Sequence, residues 1–167
     1  MKFLLWTLCA VGLWSLSLTA QAPPDFSGTW TMDLSRSEAA AQGPPIGPVT
    51  VAIRQTPAEI RVETTRNGTT QVVRYLPVES KPLVPGQPTG TFRWEGAKLI
   101  TYLAADINNQ AVTFEEVRSL NPEGTEMEVE VTFVVQHGYS TGGSSVVRSP
   151  NAPNSSTGKN IFVRARP

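Results

Sequence analysis

The feature that most constrains this chain is a period of two. Residues 126–135 read Glu-Met-Glu-Val-Glu-Val-Thr-Phe-Val-Val. Met127, Val129, Val131, Phe133 and Val135 therefore share one parity, and Glu126, Glu128, Glu130 and Thr132 the other. Successive side chains of a strand point to opposite faces, so this pattern gives one buried face and one wet face. The glutamate row is read as the wet face, because alternate carboxylates on one strand lie side by side and do not converge on a cation. Val49, Val51 and Ile53 alternate with Thr50 and Arg54 in the same way, and Ile60 and Val62 with Arg61 and Glu63. The turn chemistry is equally explicit. Asn67-Gly68 supplies the two positive-φ residues of a type I′ hairpin, and Glu95-Gly96 and Glu123-Gly124 mark further turns. Strands are expected near 27–33, 48–56, 59–66, 70–77, 89–95, 98–105, 110–119, 126–136 and 159–166.

Closely spaced strands with short links form a sandwich or a closed barrel, and closing a meander removes both exposed edges. The expected architecture is all-β: a single antiparallel up-and-down β-barrel of eight to nine strands. Three stretches interrupt it. Residues 35–48 combine alanines with Gly-Pro-Pro-Ile-Gly-Pro and predict a short helical turn followed by a stiff crossing. Residues 77–88 carry four prolines and read as a loop. Residues 139–160 are rich in Ser, Thr, Gly and Asn with only Val146-Val147 to bury, which predicts a long polar loop, disordered or ordered by a partner. Asn67-Gly68-Thr69 and Asn154-Ser155-Ser156 fit the glycosylation sequon, which matters only in a eukaryotic secretory pathway.

Residues 1–22 are of a different kind. Lys2 precedes an apolar run from Phe3 to about Leu18, and Thr19-Ala20-Gln21-Ala22 closes it. That order of charge, apolar core and small residues is a secretory signal peptide. Cleavage after Ala20 fits better than after Ala22, which would leave Pro23 at the new terminus; an uncleaved membrane anchor is the competing reading. Cys9 lacks the small residues that precede a lipidated cysteine. The expected domains are thus a signal peptide at 1–22 and one β-barrel domain at 23–167, of a size that needs no disulfide. None could form there, because Cys9 is the only cysteine. The expected location is exported, periplasmic or extracellular, with no membrane span after cleavage. Lys2 is the only charged residue of the signal, so the remainder carries 13 Lys and Arg against 14 Asp and Glu. That balance gives no reason to expect a nucleic acid or an anionic membrane as partner.

The segment Asp25-Phe26-Ser27-Gly28-Thr29-Trp30 resembles the opening of the lipocalin-like, or calycin, barrels, whose first strand carries a Gly-x-Trp element. The resemblance implies that Arg164 or Arg166 in the last strand matches the basic residue that packs over that tryptophan. Phe92-Arg93-Trp94-Glu95-Gly96-Ala97-Lys98-Leu99-Ile100 and Glu116-Val117-Arg118-Ser119-Leu120 extend the likeness over most of 25–167. Together they look like an uncharacterised family of bacterial exported proteins that opens with Phe-Ser-Gly-Thr-Trp and carries Trp-Asp-Gly where this chain has Trp94-Glu95-Gly96. Physically, Gly28 would let the backbone pass close to a neighbour, and the Trp30 ring would plug one barrel end beneath a cation.

No catalytic motif assembles. His137 is the single histidine, which excludes two- and three-histidine metal sites within one chain and makes hydrogen-bonding or surface duty its plain reading. No Gly-x-Ser-x-Gly elbow occurs, no calcium loop occurs, and Ser155-Ser156-Thr157-Gly158-Lys159 lacks the first glycine and final hydroxyl of a phosphate loop. The expectation is no enzyme, no metal and no cofactor. Glu115 and Glu116 must face opposite sides, so one of them points inward and is paired, with Arg93 or Arg118 as partner; such a pair plugs the barrel or anchors a ligand.

Two functions remain. A small barrel can hold one apolar guest. Its lining would come from Val51, Ile53, Ile60, Val62, Phe92, Trp94, Tyr102, Phe114, Val129, Val131 and Phe133, and the same residues could instead make a solid core. The alternative is a periplasmic protein-interaction or protease-inhibitor-like barrel with a filled core, meeting its protein partner through the Pro-rich N-terminal stretch or the 139–160 loop.

Overall fold

The computed structural model describes residues 22–40, 47–78, 89–107, 110–135 and 155–165. Among them nine strands close into one barrel in sequence order: β1 (Gly28–Met32), β2 (Val49–Gln55), β3 (Ile60–Arg66), β4 (Thr69–Pro77), β5 (Thr89–Glu95), β6 (Lys98–Ile107), β7 (Gln110–Leu120), β8 (Glu126–Val135) and β9 (Ser155–Arg164). A single 3-10 turn, Leu34–Arg36, is the only helical element among the described residues, and it falls where the alanine-containing stretch predicted one. The remainder of the 77–88 loop and of the crossing at 41–46 lies outside the described residues, as do residues 1–21 of the expected signal peptide 1–22, His137 and Arg166.

Eight strand pairs are antiparallel, including the closing pair β1–β9; β4 and β5 run parallel, with Arg74 opposite Thr89 and Pro77 opposite Phe92. Parity demands this. Strand direction must return to itself around a closed ring, so a nine-membered barrel cannot be antiparallel at every pair. The parallel pair sits at the connection too long for a hairpin, the proline-rich 78–88, because parallel neighbours need a crossover.

The short hairpins form on the residues that encode them. Asn67 and Gly68 have φ of 50° and 75°, as a type I′ turn requires, and Gly96 and Gly124 also adopt positive φ. The last strand departs from expectation. It begins at Ser155, not near 159, because Ser155–Gly158 pair with Val134–Val131 of β8. Hydroxyl and glycine residues read locally as loop, but the apolar edge of β8 offers a complete ladder to pair with. Gly158 is needed there: a Cβ would collide with the backbone of Glu38 and Ala40, which crosses its inner face and bridges Lys159.

The barrel has two unlike ends. The turns at 56–59, 96–97 and 121–125 and the segment before Gly28 lie at one end, with Trp30. The connections 33–48, 67–68, 108–109 and 136–154 leave from the other.

Candidate functional site

At the Trp30 end the interior is sealed. Trp30 is wholly buried, its Nε1 donates to the Phe26 carbonyl at 2.9 Å, and Phe26 is itself wholly buried and stacks obliquely on Trp94. Arg164 closes the arrangement, with its guanidinium 4.2 Å from the centroid of the Trp30 ring. All three of its nitrogens donate to backbone carbonyls: Nε to Gly124 at 2.8 Å, Nη1 to Ser27 and Nη2 to Asp25 at 3.1 Å. Gly28, at φ 130°, faces this guanidinium, and a Cβ on it would lie 2.9 Å from Nη1. Gln55 fastens the leading segment by accepting from Phe26 N–H and donating to the Pro24 carbonyl. Gly28, Trp30 and Arg164 therefore meet at this end, Arg164 being one of the two basic residues that the resemblance offered.

Above this plug the inward positions form rows. Leu99, Arg118 and Val129 make one row, Thr101, Glu116 and Val131 the next, and Leu103, Phe114 and Phe133 the one above. The lowest row is dry: Leu99 is 0% and Arg118 4% exposed. Higher up, Leu103, Phe114 and Val131 share the inward parity yet remain only partly buried. The two apolar clusters of the interior divide at this level. The larger surrounds Trp30, and the smaller gathers Ala40, Val112, Phe133 and Val135 near the other end.

A polar group occupies the boundary. Arg118 Nη1 donates to Thr101 Oγ1 at 2.6 Å, Arg118 Nη2 bonds Glu116 Oε2, and Thr101 Oγ1 also reaches Oε2 at 3.4 Å. The Glu116 side chain keeps 26% exposure against 5% for Arg118. The Tyr75 ring packs beside them, over Gly90, where any Cβ would strike it. Burial pushes the Tyr75 phenol well above its usual range, the Glu116 carboxylate pushes it further, and Arg118 and the hydrogen bonds from Thr101 and Arg118 oppose the rise in part. A buried guanidinium of this kind is tolerable only because every donor near it is engaged; among the described residues no buried side-chain polar atom lacks a partner.

Of the lining residues expected from sequence, Val51, Ile53, Ile60, Val62, Phe92, Trp94, Phe114, Val129, Val131 and Phe133 have the inward parity. They do not form one surface: Val51, Ile53, Ile60, Val62, Phe92 and Val129 belong to the cluster around Trp30, with Trp94 and Val131 packed against it, while Phe133 belongs to the upper one, with Phe114 packed against it. Tyr102 is a correction. It pairs with Thr91 and Glu115 on the outer face and is 41% exposed. Leu99, Ile100 and Thr101 before it are all buried, so β6 carries no readable alternation, and its register with β5 alone decides the face. Glu115 points out and Glu116 in, paired with Arg118. Arg93 instead bridges Glu95 on the outside. The outward glutamates of β8 are wet as expected, with Glu126 held by Arg36 and Glu128 by Lys159.

Sequence reading did not find Tyr75 and Thr101. The signal available was one hydroxyl at inward spacing between two leucines, Leu99-x-Thr101-x-Leu103, which alone does not reveal its partners. A hollow of about 220 Å³ beside the β7–β8 turn lies against Ser119, Asn121 and the bridged Glu126 and Glu128, outside the lumen. No group of three potential metal ligands occurs among the described residues, and none of their helices is long and apolar enough to cross a membrane. The segment expected to meet a protein partner, 139–160, lies outside the described residues as far as Asn154.

No protein-family model matches the chain, and no curated protein matches it. Among solved structures it is similar to apo lipid binding protein 8 (LBP-8) of Caenorhabditis elegans, at 10% identity and a TM-score of 0.46, over 84% of this chain and 95% of that one. An abundant heat soluble (SAHS) protein of Ramazzottius varieornatus is similar at 10% identity and a TM-score of 0.40, over the same shares.

Proposed function

We propose that this chain is an exported, non-enzymatic barrel that holds one small, mainly apolar molecule in the half of its lumen away from Trp30. Membership of the calycin-like exported proteins that open with Phe-Ser-Gly-Thr-Trp is part of the same reading. The observation that carries it is the unequal burial of inward side chains. Near Trp30 the side chains of Phe26, Trp30, Leu99 and Met127 are packed dry, with Trp94 and Leu120 partly buried at the rim, whereas in the middle and upper rows Leu103, Phe114 and Val131 keep accessible apolar surface while sharing the inward parity. Apolar surface that faces inward and stays partly uncovered is what a guest would cover.

The test is a titration with a neutral fluorescent naphthylamine, N-phenyl-1-naphthylamine. Saturable, blue-shifted emission with about one site per chain is expected, and Phe114→Glu should abolish it while leaving the fold intact by circular dichroism. Absence of saturable binding would overturn the proposal. An extrinsic probe is required, because Trp30 and Trp94, the two tryptophans outside the signal segment, both sit at the sealed end. Export is tested separately: N-terminal sequencing of protein recovered outside the cytoplasm should begin at Gln21 or Pro23.

A further inference from the structure

The geometry of the boundary layer points to a specificity that apolar lining does not supply: we infer that the ligand is an apolar molecule with an uncharged hydroxyl head, which donates a hydrogen bond to Glu116. This rests on the proposed function. The Arg118 backbone lies one row nearer the sealed end than that of Glu116, and its guanidinium reaches up to engage Thr101 and Glu116 from that side. Glu116 is the more open of the two, its side chain 26% exposed against 5% for Arg118. Both hydrogen bonds that Glu116 accepts from described side chains end on Oε2, one from Arg118 and one from Thr101. Oε1 accepts from none of the described side chains. The layer therefore offers a guest an acceptor and withholds its donors.

Charge bookkeeping selects among the heads that could use that acceptor. Arg118 and Glu116 already cancel. A carboxylate arriving at this level would meet a like charge, and an ammonium would leave an uncompensated cation beside the guanidinium; either places a net charge in a poorly solvated interior. A hydroxyl donates to Oε1 and adds no charge. Arg66, at the end of β3, also has the inward parity and is itself engaged. An alkane gains the apolar contacts and forgoes the hydrogen bond. Buried hydrogen-bonding groups discriminate strongly against guests that cannot complete them.

The experiment displaces N-phenyl-1-naphthylamine from the wild-type protein with a matched series: tetradecanol, tetradecanoate, tetradecylamine and tetradecane. Tetradecanol is expected to compete at least tenfold more tightly than the other three. Glu116→Gln, which frees the guanidinium of its counter-charge, is expected to reverse the order and make tetradecanoate the tightest. A purely structural role for Glu116 would weaken every competitor alike and would overturn the inference. So would tetradecanoate, tetradecylamine or tetradecane matching tetradecanol on the wild type, a comparison that stands even if the variant does not fold. If the probe binds but the charged heads lead, the binding reading survives and this inference fails; if neither the probe nor any member binds, both fail.

Discussion

The two ends of this barrel are built from similar amounts of β-structure and reach opposite outcomes. At one end Trp30, Phe26 and Met127 are buried to 1% exposure or less, and Arg164 ties the leading segment to the β7–β8 turn through three carbonyls. At the other, Phe114 packs on Phe133 with ring centroids 4.9 Å apart, yet Phe114 and Leu103 remain partly open. The first end engages the carbonyls of Pro24, Asp25, Phe26, Ser27 and Gly124 with side-chain donors and packs rings beside them. The second leaves apolar surface toward the axis above a polar floor. A barrel can thus be closed as a sheet and still be unequally packed along its axis: hydrogen-bonded closure stabilises the wall, and side-chain volume decides how fully each part of the interior is buried.

The strongest way to break this comparison is to remove the plug. Trp30→Ala should cost about 3–5 kcal/mol in urea unfolding, because it deletes a fully buried ring and leaves a cavity. Arg164→Met should cost about 2–4 kcal/mol, leaving three carbonyls short of a donor while keeping an apolar stem over the indole. Phe114→Ala, at the open end, should cost only about 1–2 kcal/mol, since the ring is partly exposed to begin with. Equal losses for Trp30→Ala and Phe114→Ala would abolish the distinction between the ends.

Tyr75 gives a pH test of the floor between them. Its folded phenol is raised above its value in the unfolded chain, so the unfolded state releases this proton first. Stability is then complete below about pH 10 and falls as pH rises beyond it. Absorbance at 295 nm should show the Tyr75 phenolate forming only as the protein unfolds, and Tyr75→Phe should remove that part of the alkaline loss. The smallest effect is expected at Asp33. Hydrogen bonds from Ser35 and Arg36 hold its carboxyl down to about 2, so its contribution is present above the usual carboxylate range and lost as pH falls from about 4 toward 2. The group is exposed, and Asp33→Asn should shift the acid limb of a thermal melt only slightly.

How much could be read in advance varied from strand to strand. On β8 every inward residue is apolar and nearly every outward one polar, so face, length and wet glutamate row were legible. On β6 the burial of Leu99, Ile100 and Thr101 erases the alternation, and Tyr102 was assigned to the wrong side. The first half of β9 looked like loop because its residues are small and hydroxylated; its pairing partners, Val134 to Val131, lie more than twenty residues back on β8. At the candidate site an inward carboxylate from Glu115 or Glu116, paired with Arg93 or Arg118, was foreseen; the structure selects Glu116 and Arg118, two residues apart on one strand. Thr101 lies fifteen residues away and Tyr75 forty-one from Glu116, and no local pattern links them.

The sequence by itself determined what depends on near neighbours. Alternation specified the strands, and Asn67-Gly68 and the other glycine turns specified the hairpins. Both follow from side-chain direction and backbone sterics within a few residues, which sequence order already contains; the contact of Trp30 with a basic residue of the last strand was instead implied by the resemblance. Only the tertiary structure decided that β4 and β5 run parallel, that Gly158 must admit the Glu38–Ala40 backbone, and that Arg118 engages Glu116 from the side of the sealed end. Those outcomes depend on ring closure and on register across several strand pairs, where a shift of one residue would exchange inside for outside.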